Sequence, residues 1–131
     1  MEQIIMQGKG KYTYDNENDI VMFKIKNKEY SHSNEYEEII VDLDKNRLVS
    51  GIRIFDASEI LTIKKEYLEE CKEIRFNIKI KNDIIELDVK IRTIDKNNQI
   101  VHYSKKICKK MDSNYLNNHE EPEIIENNLK I

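Results

Sequence analysis

The feature that most constrains this chain is a strict two-residue alternation of apolar and polar side chains in its second half. Ile74, Phe76, Ile78 and Ile80 alternate with Glu73, Arg75, Asn77 and Lys79; then Ile85, Leu87, Val89 and Ile91 alternate with Glu86, Asp88, Lys90 and Arg92. Successive side chains of a strand point to opposite faces, so each run buries one face and wets the other. Between the runs lies Lys81-Asn82-Asp83, whose Asn and Asp tolerate a left-handed backbone. The segment is therefore expected to be a β-hairpin with one apolar face. A third strand over 99–108 is expected after the polar turn Asp95-Lys96-Asn97-Asn98, with poorer alternation.

The first half repeats the style with shorter runs. Lys11 to Tyr14 reads as a strand, Asp15-Asn16-Glu17-Asn18-Asp19 as a turn, and 20–27 as a strand with Val21, Phe23 and Ile25 toward the core. The polar stretch 28–35 reads as a loop. Residues 36–43 follow as a strand facing inward through Ile39, Val41 and Leu43. Asp44-Lys45-Asn46 turns the chain into 47–55, where Leu48, Ile52 and Ile54 share a face. Gly51 inside that strand signals a bulge or a close backbone approach. Between the halves, Ile60, Ile63, Tyr67 and Cys71 recur at three- and four-residue steps behind a capping Asp56 or Ser58, which predicts one helix over 58–71.

These elements define an α+β fold, mostly antiparallel β: two hairpin or meander halves joined by one helix packed on the sheet, with an acidic C-terminal tail. The expected organisation is a single β-rich domain over 1–111, comprising 12–58, the helix 58–71 and a meander over 73–108, followed by the tail 112–131. At 131 residues the length suits one domain. The abundance of Ile (22), Lys (18) and Asn (14) fits an AT-rich coding sequence, so a surplus of lysine by itself carries no functional meaning. The net charge of −3 is unevenly placed. Residues 112–131 hold five carboxylates against Lys130, or −4, which leaves the first 111 residues at +1. No global field draws the chain to nucleic acid or anionic lipid.

Residues 12–58 resemble a small bacterial and archaeal family known as domain of unknown function 2283. Three ordered blocks carry the resemblance: Tyr14-Asp15-Asn16-Glu17-Asn18-Asp19 with the strand Ile20-Val21-Met22-Phe23-Lys24-Ile25; Ile39-Ile40-Val41-Asp42-Leu43-Asp44; and Gly51-Ile52-Arg53-Ile54-Phe55-Asp56-Ala57-Ser58. Arg53 stands where the family pattern has a glutamate. The resemblance implies a short β-rich protein with no established activity. Members are often encoded beside small toxin-like proteins, which implies an antitoxin-like role for some of them. It says nothing of residues 73–131.

Motifs of catalysis are missing from the sequence. The spaced acids of 15–19 suggest calcium, but an EF-hand loop needs glycine at its sixth position and an acid at its twelfth, and these are Ile20 and Lys26. His32, His102 and His119 form no HxxxH pair, and Cys71 and Cys108 lack partners at zinc spacing. Gly8-Lys9-Gly10-Lys11 is not framed as a phosphate loop, and there is no GxSxG elbow. Cys71 falls on the apolar stripe, as a packed thiol would. No cofactor, metal or catalytic residue is assigned.

The reading is of a non-catalytic, cytoplasmic protein-binding module, antitoxin-like or inhibitor-type, chromosomal or phage-borne. No signal peptide or membrane span is expected. The candidate partner-binding residues are Glu120, Glu121, Glu123, Ile124, Ile125 and Glu126, whose charge suits a small basic toxin or nuclease. Exposed sheet edges would also admit a second copy of the chain. The alternative is a nucleic-acid-associated accessory protein using Lys105, Lys106, Lys109 and Lys110, with Tyr103 close by. A small enzyme with a carboxylate site is a further alternative.

Overall fold

The computed structural model describes residues 9–112 in full and the backbone of 4–8 and 125–130. The strands are β1 (Ile4–Asp15), β2 (Ile20–Ile25), β3 (His32–Tyr36), β4 (Ile39–Leu43), β5 (Val49–Ile54), β6 (Glu73–Lys81), β7 (Ile84–Ile94), β8 (Ile100–Lys110) and β9 (Ile125–Lys130). Two helical turns, α1 (Ala57–Leu61) and α2 (Lys65–Glu69), separate β5 from β6. The hydrogen-bonded order is β3-β4-β5-β2-β1-β9-β6-β7-β8. Every pairing is antiparallel except that of β1 with β9, which is parallel.

One strand belongs to both halves. Residues 4–9 of β1 pair with β9, and residues 10–15 pair with β2. Gly10 sits at that handover, where a side chain would run into the Lys24 carbonyl and the Phe23 ring. The two ladders turn their apolar faces to each other and share one buried cluster. Phe23 of β2 meets Phe76 of β6 edge to face, with ring centroids 5.6 Å apart and planes at 64°, a geometry that the ring quadrupoles favour.

The long alternation is realised in full. Ile74, Phe76, Ile78, Ile80, Ile85, Leu87, Val89 and Ile91 are all buried. The turn between them places both Asn82 (φ 51°) and Asp83 (φ 66°) in the left-handed region, as a two-residue hairpin matched to strand twist requires. The turns at Asp44 and Asp95 are copies of each other. In each, the aspartate carboxylate accepts the backbone N–H groups two and four residues on, at 2.8–3.0 Å. A left-handed residue then follows three positions after the aspartate, Arg47 (φ 65°) or Asn98 (φ 60°).

Four expectations require correction. The single helix over 58–71 is two five-residue turns. Thr62 takes φ 53°, and the N–H groups of Thr62 and Ile63 return to the carbonyls of Glu59 and Ser58, closing α1 with a Schellman-type cap. The break lets Leu61, Ile63 and Leu68 all reach the core, leaving Ile60, Tyr67 and Cys71 only partly covered. The polar segment 28–35 is not all loop, because β3 begins at His32. Opposite Asp42 and Leu43 of β4 the register of β5 slips, so Ser50 is the extra residue and Val49, not Leu48, is buried. Gly51 explains the second half of its signal: a Cβ there would lie 2.7 Å from the Phe23 carbonyl oxygen. Finally, β1 starts at Ile4 rather than Lys11, so Gly8-Lys9-Gly10-Lys11 is strand. The tail residues 113–124 lie outside the described residues, whereas 125–130 enter the sheet between β1 and β6.

Candidate functional site

The carboxylates of Asp15, Asp19, Asp42 and Asp44 in the first half are all bonded within the structure. Asp19, left-handed at the end of the β1–β2 turn (φ 56°), aims its carboxylate at the start of α1. It accepts the Ser58 N–H at 3.0 and 3.2 Å and the Ser58 hydroxyl at 2.6 Å, while the Tyr14 hydroxyl donates to it at 2.7 Å. Asp56, the residue before α1, makes no side-chain cap, so Asp19 caps the helix from another element. Burial by itself raises the Asp19 carboxyl, but the bonds from Ser58 and Tyr14 outweigh it and hold it below its ordinary value. Burial, reinforced by the bond to Asp19, pushes the Tyr14 hydroxyl well above the usual tyrosine range. The acids of 15–19 therefore hold the fold: Asp15 accepts the backbone and side-chain N–H groups of Asn18 at 3.1 and 2.8 Å. Among the described residues no group of three His, Cys, Asp or Glu could hold a metal ion.

A second network lies on the outer face of β3–β5. Arg53 grips Asp42 through Nη2–Oδ1 at 2.7 Å and Nε–Oδ2 at 3.2 Å, the two-pronged geometry in which guanidinium fits carboxylate. The Ser33 hydroxyl donates to Asp42 at 2.7 Å and lies 3.1 Å from the Tyr30 hydroxyl. A glutamate at position 53 would face Asp42 as a like charge; the arginine makes the pair attractive. Beside this network is a cavity of about 530 Å³ whose walls include Lys11, Met22, Lys24, Tyr30, Asp42 and Arg53.

The second half presents its charges differently. Register places Arg75, Lys79 and Lys81 of β6, Lys90 and Arg92 of β7, and Lys106 and Lys110 of β8 on one outer face, against Glu73, Asp88 and Glu86. Glu73 serves two of these cations, with Arg75 Nε at 2.8 Å and Arg92 Nε at 3.4 Å. The Arg75 bond and charge hold its carboxyl below the ordinary range. A cavity of about 340 Å³ opens here among Arg75, Lys90, Arg92, His102 and Ser104.

Strand alternation divides the lysine cluster read from the sequence. Lys106 and Lys110 lie on the outer face. Lys105 and Lys109 point the other way, where Lys105 Nζ lies 3.4 Å from the Thr62 hydroxyl and Lys109 Nζ 3.5 Å from Glu38. The sequence reading missed Arg75, Lys90 and Arg92, although sorting charges by strand parity would have found them. Glu120, Glu121, Glu123 and Ile124, with His119, lie outside the described residues; Ile125 and Glu126 belong to the backbone of β9. His32 opens β3, and His102 sits on the outer face of β8. Cys71, just past α2, donates its thiol to the Glu73 carbonyl at 3.4 Å, and burial pushes that thiol up to about 11, unlike a nucleophilic cysteine.

Residues 11–58, the strands and locks of the first half, match the family described as Protein of unknown function (DUF2283). The chain belongs to this family. A Methanosarcina mazei protein named "Putative hypoxanthine phosphoribosyltransferase" is 34% identical over 91 residues, which cover 70% of this chain and 73% of that protein. An uncharacterized protein of Methanocaldococcus jannaschii is 28% identical over 97 residues, covering 73% of this chain and 84% of its own length. Both likenesses are longer than the family match. No solved structure matches the chain. Among the described residues no helix is long and apolar enough to cross a membrane.

Proposed function

We propose that the protein is a non-catalytic binding module of the inhibitor or antitoxin type, which holds an extended segment of a partner protein along the free edge of β8. The observation that supports this is the edge itself: β8 has 11 residues and, among the described residues, pairs only with β7. Hydrogen-bonded and open pairs alternate along an antiparallel ladder. The backbone bonds Asp95 N–H to Gln99 and Met111 N–H to Asp83 fix the phase. Odd-numbered residues of β8 thus bond β7, while His102, Ser104, Lys106 and Cys108 turn their backbone groups outward. Such an edge binds an added strand through main-chain bonds. The lysines beside it repel a second β8 and favour an acidic partner strand. The carboxylates Glu120, Glu121 and Glu123 offer a further contact for a basic toxin or nuclease. Free Cys71 and Cys108 suit the reducing cytoplasm.

The name of the Methanosarcina relative raises a transferase reading. That chemistry uses a diphosphate, which proteins commonly cradle in a glycine-rich loop. Here Gly8, Gly10 and Gly51 all lie within strands, and Gly10 and Gly51 are needed for close strand contact. The transferase reading draws no support from these residues.

Ser104→Pro tests the edge reading, because it deletes an outward N–H and leaves the β7 ladder intact. Proteins co-purifying from native cells with the wild type should be lost with Ser104→Pro and retained with Lys45→Ala, an exposed turn residue between β4 and β5. An unchanged set, or none with either, overturns the reading. The acidic segment is tested by replacing Glu120, Glu121 and Glu123 with Gln, not by truncation, since 125–130 form a central strand.

The basic outer face of β6–β8 supports a second reading, nucleic-acid binding. Seven cations against three carboxylates give phosphate a local attraction that the net charge conceals. A gel shift at low salt that weakens with added salt and with Arg75→Ala/Lys90→Ala would support it; no shift at low salt eliminates it.

A further inference from the structure

We propose that the cavity on the outer face of β1, β2 and β5 is a binding site for a small organic anion, a flat apolar body carrying one acidic group. Two register rows build it. Lys11, Lys24, Gly51 and Asp42 follow one another across β1, β2, β5 and β4, and Thr13, Met22 and Arg53 form the next row. Gly51 contributes no side chain, so Lys24 and Asp42 face each other across two strand spacings, about 10 Å. The glycine is imposed from beneath by the Phe23 carbonyl, which makes the gap a fixed part of the fold. The resulting space of about 530 Å³ lies within the range usual for small-molecule sites.

Charge and apolar surface then define the ligand. Asp42 is committed to Arg53 at 2.7 Å. Lys11 and Lys24 have no ion pair among the described residues, so the wall they form carries two uncompensated positive charges. Met22 and Tyr30, two of four exposed large hydrophobic residues among those described, both line this cavity at 45% and 61% exposure. A thioether and a phenol ring beside paired ammonium groups suit an aromatic acid: the ring covers Met22 and Tyr30, and the acid meets Lys11 and Lys24. Inorganic phosphate would satisfy only the lysines, and a neutral aromatic only the rim. The site lies on the opposite half of the sheet order from β8, so it is independent of the partner-strand reading.

The test uses the full chain and the aryl sulfonate 8-anilinonaphthalene-1-sulfonate as probe, followed by fluorescence and by amide chemical shifts. The expected result is saturable binding, shifts centred on Met22, Lys24 and Gly51, and at least tenfold weaker binding in Lys11→Ala/Lys24→Ala. Arg75→Ala/Lys90→Ala on the other face should bind as the wild type does. Phosphate and 1-naphthol should each compete far less well than 1-naphthalenesulfonate. Melting temperatures of all variants exclude the trivial route by which unfolding exposes apolar surface to the probe. Non-saturable binding, shifts elsewhere, or equal affinity in the lysine double variant at unchanged melting temperature overturns the proposal.

Discussion

The two halves of the sheet solve the same problem with different materials. β2–β5 are short strands of five or six residues, and the aspartates around them are bonded to other side chains or to the backbone: Asp19 to Ser58 and Tyr14, Asp42 to Arg53 and Ser33, Asp44 to its own turn. β6–β8 is made of long strands whose apolar alternation suffices, so most of its outer charges are left facing water. Short strands bury little per strand, and specific bonds must fix their ends. Long alternating strands fix their own register, because a one-residue slip would turn every isoleucine outward. The family match covers the half that depends on specific polar residues.

The contrast holds only if both halves share one core, and Phe76→Ala is the hardest blow to that premise. Removing the ring that meets Phe23 should cost about 3–5 kcal/mol, with a single urea transition seen equally by signals from both halves. Two separate transitions would make the halves independent.

Asp19→Ala comes next. It leaves the Ser58 N–H and the Tyr14 hydroxyl without their acceptor, and should lower stability by about 2–3 kcal/mol. Because the folded Asp19 carboxyl sits below its unfolded value, its contribution is present above the unfolded pKa and is lost as pH falls through the folded one. Wild-type stability should thus decline as pH drops below about 4, and Asp19→Asn should flatten part of that decline. Equal acid sensitivity in the two proteins would remove Asp19 from the lock.

The paired turns sharpen the comparison within one motif. Asp44 is buried at 7% exposure and also meets Lys28 at 3.5 Å, whereas Asp95 is only half-buried. Asp44→Ala should cost about 2 kcal/mol and Asp95→Ala about 1 kcal/mol, measured by chemical denaturation. An effect of similar size and opposite sign comes last. Thr62→Gly relieves a β-branched residue at φ 53° and should stabilise the chain by about 1 kcal/mol, read as a rise in melting temperature.

Much of the second half was legible because burial there depends only on residue parity. The same parity, applied to Lys105, Lys106, Lys109 and Lys110, shows why sequence clustering misleads: neighbours in a strand are not neighbours on a face. The helix differs from its sequence pattern for a related reason. Its stripe of Ile60, Ile63, Tyr67 and Cys71 assumes continuous helical geometry, but Thr62 and Ile63 leave it, and no local signal as strong as Gly or Pro marks the break. The Ser50 bulge was flagged by its glycine neighbour, though not the shift of burial from Leu48 to Val49.

The sequence by itself determined the class of fold, the hairpin over 73–92, the turn chemistry at Asp44 and Asp95, and the family to which residues 11–58 belong. These rest on local rules, in which each residue is judged against its near neighbours. Only the tertiary structure decided which charges share a face, that Asp19 caps a helix 39 residues away, and that β1 serves both ladders. Those facts depend on strand order, and strand order is set by which apolar faces meet across the core, a quantity no single segment contains.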